Sequence, residues 1–215
     1  MKIKYFLRLI TLFLALVFFV PPAAANVNPK TASIWAQNKG DEILQILTSE
    51  DSSEKYEKLD DILHHDADLP YAAKFVIGKF WRTMTDEQQQ KYINLFSRYM
   101  ENLYKSYSLN IKKGTISFQV DKVIAGNVNT DVYCTFFFNN IQSSAENENP
   151  QGIPVIFVLH EENNHIKVRD IKFGETSFLI YYRQYFQQQL HEEYDDEISW
   201  FLEDLETRVN SASDE

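Results

Sequence analysis

Along the chain the spacing of apolar residues changes twice, from a helical period to a two-residue alternation and back. From Asn28-Pro29 onward, Ile34, Trp35, Ile43, Leu44 and Leu47 form an intermittent helical stripe, which Ser49-Glu50-Asp51-Ser52-Ser53 is expected to end. Proline suits a first turn, where its missing N–H would be unpaired anyway. Tyr56, Leu59, Ile62 and Leu63, three and four residues apart, predict a second, short helix. Leu69-Pro70 permits a third start at Tyr71, with Asp68 as its cap. The longest predicted helix opens on Thr85 and Gln88 in a capping-box pattern and carries Tyr92, Leu95, Phe96, Tyr99, Met100, Leu103 and Tyr107 on one broad face, reaching about Leu109.

After Lys112-Lys113-Gly114 the period becomes two: Ile116, Phe118 and Val120 face one way, Thr115, Ser117, Gln119 and Asp121 the other. Three more strands are predicted, Asn129 to Phe138, Ile153 to His160 and His165 to Phe173. A loop rich in Asn, Ser and Glu, 139–152, joins the second to the third, and Glu161-Glu162-Asn163-Asn164 reads as a tight hairpin connection. Helices over Ser177 to Leu190 and Tyr194 to Val209 follow, then a small, polar, acidic tail, 210–215. Helices, four antiparallel strands, then helices, without βαβ alternation, predict an α+β domain with helices packed on one face of a curved four-stranded sheet.

Two strands break the simple inside-outside alternation. Val132, Cys134, Phe136 and Phe138 oppose Tyr133 and Phe137, and Val155, Phe157 and Leu159 oppose Ile156 and Val158. A sheet buried on both faces explains this, and so does a sheet lining a ligand cavity. The 12 tyrosines suit an amphiphile pocket, being rigid apolar walls with one polar end, but ordinary packing uses the same side chains.

The first 25 residues change the picture of where the domain begins. Lys2, Lys4 and Arg8 precede an apolar run from Leu9 to Val20, then Pro21-Pro22 and Ala23-Ala24-Ala25. That order is a secretory signal with cleavage expected after Ala25. A membrane anchor would need about 20 apolar residues, more than this run supplies. The expected organisation is a signal peptide over 1–25, one domain over 26–209 and a flexible tail over 210–215. The leader holds three of the 21 Lys and Arg and none of the 31 Asp and Glu, so its removal takes the formal net charge from −10 to −13. Such a surface repels nucleic acid and anionic lipid headgroups and favours solution or a basic protein partner. The single cysteine, Cys134, has no intramolecular disulfide partner and sits in the strand-like TDVYCTFFF, where a small buried hydrophobe is expected.

Catalytic motifs are missing from the sequence. It contains no Gly-x-Ser-x-Gly turn, paired-cysteine site or phosphate loop. His64-His65-Asp66-Ala67-Asp68 offers ligand-type side chains, but adjacent helical residues point about 100° apart and no later His or Glu motif completes a metal site.

Two stretches carry a family resemblance. In DLPYAAKFVIGKFWRTMTDEQQQKYINLFSRYMENLYKSY, Gly78, Trp81 and Arg82 form a Gly-x-x-Trp-Arg ending, followed by Thr85, Glu87 and Gln88 as the turn into a long helix. In VRDIKFGETSFLIYYRQYF, Asp170 ends a strand, Ser177 opens a helix, and Tyr182, Arg183 and Phe186 give Tyr-Arg-x-x-Phe. With both in this order, the chain resembles the MlaC family of periplasmic phospholipid-binding proteins, also known as toluene-tolerance auxiliary proteins of an ABC transport system. It departs from that pattern in three places. Gly174 stands one position before the family glycine, whose place Glu175 takes; HIKVRD lacks the usual tryptophan; and HEEYDDEISW lacks a glycine near the last helix.

The resemblance implies an NTF2-like or cystatin-like cone enclosing an apolar cavity, in a monomeric periplasmic carrier rather than an enzyme. Its ligand would be a diacyl glycerophospholipid, with no cofactor and no metal. Its partners would be an outer-membrane lipoprotein-porin complex and an inner-membrane ABC transporter complex with a substrate-binding ring, and its role the maintenance of outer-membrane lipid asymmetry. Candidate cavity walls, taken from inward positions with apolar bulk, are Phe96, Met100, Leu103, Phe118, Val120, Phe136, Phe157 and Val168. Trp81, Arg82, Tyr182 and Arg183 are candidates for the mouth or headgroup site, against the alternative that the aromatics pack in the helical core and the arginines pair with acids, Arg183 with Asp170 among them. Weak selectivity for chain type and headgroup is expected. A small-molecule enzyme or a packed adaptor on the same fold are the competing functions.

Overall fold

Caps decide where the helices begin. In the computed structural model, which describes residues 26–49, 52–106, 111–112, 114–138 and 152–212, helix α1 (Pro29–Leu47) starts behind Asn28, whose side chain accepts from the Lys30 N–H. Helix α2 (Ser52–Asp66) takes Ser52 and Ser53, the residues expected to end α1, into its own first turn beside Glu54, an acid suited to the positive end of a helix. Asp68 caps α3 (Leu69–Ile77), and Thr85 and Gln88 form the reciprocal capping box of α4 (Asp86–Lys105), as the sequence predicts. Ser177 caps α5 (Phe178–Glu192). The last helix, α6 (Ile198–Ser211), has no side-chain cap; the chain enters it through Asp195 and Asp196 at φ 49° and 62°. Aspartate tolerates that left-handed region, which is how the chain manages without a glycine there. Because α6 runs to Ser211, the helical domain passes the expected boundary at residue 209. The signal peptide, nearly all of the 139–152 loop, the helix end at Tyr107 to Leu109 and residues 213–215 lie outside the described residues.

The strands are β1 (Ile116–Ala125), β2 (Thr130–Phe138), β3 (Gly152–Glu162), β4 (His165–Phe173) and β5 (Thr176–Ser177), hydrogen-bonded in chain order with every neighbour antiparallel. The expected sheet of four thus gains a fifth, two-residue strand. Phe173 pairs with Thr176 across Gly174-Glu175, and Gly174 has φ 60°, the conformation that the first central residue of a type II′ turn requires. The glycine that departs from the family spacing therefore sits where this hairpin needs it. Asn163 and Asn164, at φ 51° and 63°, turn β3 into β4 with the two left-handed residues of a type I′ turn.

Hydrophobic packing divides into two clusters. One is purely helical, built on Ile77, Phe80, Tyr92, Phe96, Phe186 and Phe201 among others. The other lies between α1 and the sheet, with Val27, Ala32, Ala36, Phe118, Val132, Cys134 and Leu159 at its centre. The opposite face of the sheet is not a third core: Tyr133, Phe137 and Ile156 are half-buried, and Lys122 lies 4.2 Å from the Tyr133 ring centre.

The two family-like stretches meet at the end of α3. Gly78 stops that helix at φ 61° and ψ −120°, a region open to glycine alone. Arg183 of α5 donates to the Phe75 carbonyl at 3.4 Å and lies 5.1 Å from the Phe75 ring centre, so it does not pair with Asp170. Asp170 instead accepts from the Ser177 hydroxyl at 2.6 Å and the Leu179 N–H at 3.1 Å, tying β4 to the start of α5. A Cβ on Gly78 would stand 2.3 Å from Gln187 Nε2. Gly78→Ala is expected to lower stability by about 1–3 kcal/mol, read as a lower urea midpoint at unchanged slope.

Candidate functional site

Small residues set how closely α1 approaches the sheet. Ala32, Ala36 and Gly40 recur every fourth position and are all buried, and a Cβ on Gly40 would lie 2.2 Å from the Phe118 ring. Phe118 in turn meets Phe136 at a tilt, 4.9 Å between ring centres, and Phe157 edge-on at 6.4 Å. On the side of α1 toward β3 and β4 the contact is incomplete. An apolar cavity of about 150 Å³ remains between α1, α2 and the strands, walled by Trp35, Ile43, Ile62, Leu63, Phe157 and Ile171, with Ala36, Gly40, Ala67, Phe136 and Val168 completing it. A cavity of that size, lined chiefly by hydrocarbon, takes a guest about as large as benzene, and anything longer would run on beyond it.

The sheet provides the continuation. Phe136, Phe157 and Ile171 also line an open trough of about 290 Å³, whose other residues are Phe138, Ile153, Val155 and Phe173. Paired positions across β2, β3 and β4 put these side chains on one face, and Ile153 and Phe173, at 47% and 53% exposure, carry it out to solvent.

At its other end the cavity meets charge. Lys39 and Asp66 border both the apolar cavity and a polar cleft of about 820 Å³ between α1 and α2, which also holds Glu42, Asp61, His64 and His65. Lys39 Nζ lies 2.8 Å from Asp66 Oδ2 and 2.6 Å from Glu42 Oε2. Burial acts to lower the Lys39 pKa, but the Asp66 and Glu42 carboxylates outweigh it and hold the ammonium above the ordinary lysine value. Asp66 Oδ1 lies 2.8 Å from His65 Nδ1, and its side chain is 6% exposed. The site therefore joins a hydrocarbon-lined end to an ionic one.

Helix α2 covers this junction with little apolar anchorage. Among its side chains that the structure describes, those buried are Lys55 and Asp66, and neither is apolar. Beside half-buried Leu63, which packs against the helical core, polar contacts hold it: Asp60 accepts from Tyr104 and pairs with Lys105 at 2.8 Å, His64 meets Glu101 at 2.7 Å, and Lys167 donates to the His65 carbonyl. Exposed ion pairs contribute little each, so α2 is among the elements that open at low cost.

The family model described as MlaC protein matches residues 37–207. The chain belongs to the MlaC family. Its fold matches that of the phospholipid-binding protein from Ralstonia solanacearum, solved in complex with a phospholipid, with TM-score 0.63, 19% identity, and coverage of 85% of this chain and 97% of that one. No curated protein matches the chain by sequence.

In this MlaC-family chain the residues chosen from sequence divide between the two clusters. Phe136, Phe157 and Val168 line the cavity, and Phe118 and Val120 belong to the same sheet cluster. Phe96, Met100 and Leu103 pack in the helical cluster, away from the cavity lining. The mouth candidates are not at the cavity either. Trp81 and Tyr182 pack in the helical core, Arg183 holds Phe75, and Arg82 is exposed on the turn after α3. A helical period shows which residues point inward but not into which of two cores. Trp35, Ile43, Ile62, Leu63 and Ile171 line the cavity without having been singled out; the first four were legible only as apolar stripes on short helices. Lys39 gave no signal in sequence, because its partner Asp66 lies on another helix. Among the described residues no group of three or more His, Cys, Asp or Glu is disposed to hold a metal ion.

Two measurements check this geometry. Gly40→Ala drives a methyl into Phe118, which its ring neighbours hold in place, and is expected to cost about 1–3 kcal/mol in urea unfolding. Cys134 is 1% exposed, and burial, with Asp121 adding to it, pushes its thiol up to about 12. The folded protein should resist thiol-specific labelling at pH 8 and react fully in denaturant; rapid labelling of the folded protein would contradict the packing.

Proposed function

We propose that this protein is a phospholipid carrier, not an enzyme, that holds the acyl chains of a diacyl glycerophospholipid along the inner sheet face. The observation that carries this reading is the continuity of the apolar cavity with the apolar trough, ending against a charged cleft in an MlaC-family chain. That is the polarity of an amphiphile. The phospholipid-bound Ralstonia protein of the same fold supports it. The 150 Å³ space is a starting point that widens as α2 moves outward and the chains extend into the trough, completing the cone expected of the fold.

A carrier is physically required for such a ligand. At about 0.8 kcal/mol per methylene, two chains with about 30 methylenes represent roughly 24 kcal/mol of transfer free energy, so unaided escape from a bilayer is slow. The protein needs only to match the bilayer interior, because exchange compares pocket with membrane. An enzyme on this site would need ionisable groups free to act, and the acid and base bordering the cavity are Asp66 and Lys39, bound to each other.

The remaining steps rest on the family. Residues 1–25 have the pattern of an export signal, and the carrier is assigned to the periplasm. There it passes lipid between an outer-membrane lipoprotein-porin complex and an inner-membrane ABC transporter complex and so maintains outer-membrane lipid asymmetry. A chain at −13 after leader removal has little attraction to an anionic bilayer, so delivery runs through docking on basic surfaces of those complexes.

Organic extraction of the purified protein followed by mass spectrometry is expected to return one diacyl phospholipid per chain. Protein purified repeatedly without lipid, and taking none from vesicles, would end the carrier reading. Ile171→Phe, which places a ring in the wall shared by cavity and trough, is expected to lower lipid per protein several-fold while leaving the thermal midpoint within about 3 °C.

A further inference from the structure

We propose that the Lys39–Asp66 pair reads the headgroup, selecting a zwitterionic phospholipid with a primary amine over an anionic one; this rests on the phospholipid-carrier reading. The two residues sit where the hydrocarbon lining ends, and each is a charge withdrawn from water: their side chains are 21% and 6% exposed. Asp66 Oδ2 is buried, and it depends on Lys39 for compensation. When α2 moves out to admit acyl chains, the two charges separate: Lys39 keeps Glu42 and Asp66 Oδ1 keeps His65, but the buried Oδ2 loses its partner, which is strongly disfavoured.

An ethanolamine-type headgroup supplies both missing partners at once. Its phosphate takes Lys39 in place of Asp66, and its ammonium takes Asp66 in place of Lys39. The pair is inserted into, not merely broken, and no charge is left unmatched. An anionic headgroup of the glycerol type satisfies Lys39 but leaves Asp66 facing neutral hydroxyls. Around it stand Glu42 and Asp61, which add repulsion against a net negative ligand, while Lys58 is paired with Glu54 at 2.6 Å and His64 and His65 are engaged by Glu101 and Asp66. The two arginines chosen from sequence as headgroup ligands are elsewhere, so the cation bordering the cavity is Lys39.

The test is competitive loading of the full mature chain from vesicles containing equal amounts of ethanolamine and glycerol phospholipids with identical acyl chains, read as the ratio of bound species by native mass spectrometry. Wild type is expected to favour the ethanolamine lipid by about fivefold or more, and Asp66→Asn, nearly isosteric, to bring the ratio to about one. Lys39→Met should lower occupancy by both lipids, and Lys39→Arg should restore it. An arm on wild type alone guards against variants that fold poorly: replacing ethanolamine by choline, which has no N–H to donate, should reduce the preference, and so should high salt. Equal loading of the two lipids by wild type, or an unchanged ratio in Asp66→Asn, overturns the headgroup assignment while leaving the carrier intact. No uptake of any phospholipid overturns the carrier reading and this one with it.

Discussion

The approach of α1 to the sheet is the constraint on which the candidate site depends. Ala32, Ala36 and Gly40 bring the helix so near β1 that Phe118 fills the space where a Cβ at position 40 would stand. That contact fixes the helix on one side of the sheet face and holds it off the other, because one straight helix cannot follow a twisted sheet across four strands. The uncovered part of the face carries Phe136, Phe157 and Ile171. An ordinary domain would lay a well-packed helix there. Here it is α2, whose described buried side chains are both charged.

A second consequence is the division of stability between the two clusters. The helical cluster is dense in interlocked aromatic rings, Phe186 alone lying within 6.3 Å of Phe96, Tyr99, Tyr182, Tyr185 and Phe201 between ring centres. Its buried side chains do not line the cavity; Leu63 of α2, half-buried, touches both. Stability can thus be concentrated in a part of the molecule that need not move, while the sheet cluster accepts a cavity that costs packing energy. The link between the halves is polar and directional: Asp68 accepts from Arg169 at 3.0 Å and receives the Tyr71 N–H, and Asp170 joins β4 to α5 through Ser177. Such links hold orientation without filling the cavity.

Much of the fold was legible in the sequence because it is locally determined. The caps at Asp68, Thr85 and Ser177, the alternation of β1 and the Asn163-Asn164 hairpin all act within a few residues of themselves. The fifth strand was not legible, since two residues cannot display a period and Gly174-Glu175 reads equally as a helix approach. Where the cavity lies was half legible. The strand residues Phe136, Phe157 and Val168 could be chosen because a sheet has only two faces, and the alternation of β1 puts Phe118 and Val120 on the inner one. The helix residues Phe96, Met100 and Leu103 pack in the other cluster, because amphipathicity gives a direction and no destination. The sequence left open a sheet buried on both sides or one lining a cavity. The outcome is that the face toward α1 is covered and hollowed, while on the opposite face Val158 and His160 are buried and Tyr133, Phe137 and Ile156 half-buried, shielded in part by long side chains such as Lys122.

The residues that carry the family resemblance turn out to be architectural. Gly78 takes a backbone conformation that side chains do not allow, Arg183 holds the last turn of α3, Ser177 and Asp170 start α5, and Phe186 fills the helical core. Roles of this kind serve the fold, and they say little about what occupies the cavity. The groups that line the cavity lie outside both stretches or at their margins: Lys39 on α1, Asp66 at the end of α2, and the aromatic face of β2 and β3. These can vary without disturbing the caps and the glycine turn. Family membership therefore fixes the scaffold and the kind of surface it presents, whereas the proposed discrimination among lipids rests on this chain's own Lys39–Asp66 junction, a charge pair drawn from two helices and withdrawn from water at the end of the apolar lining.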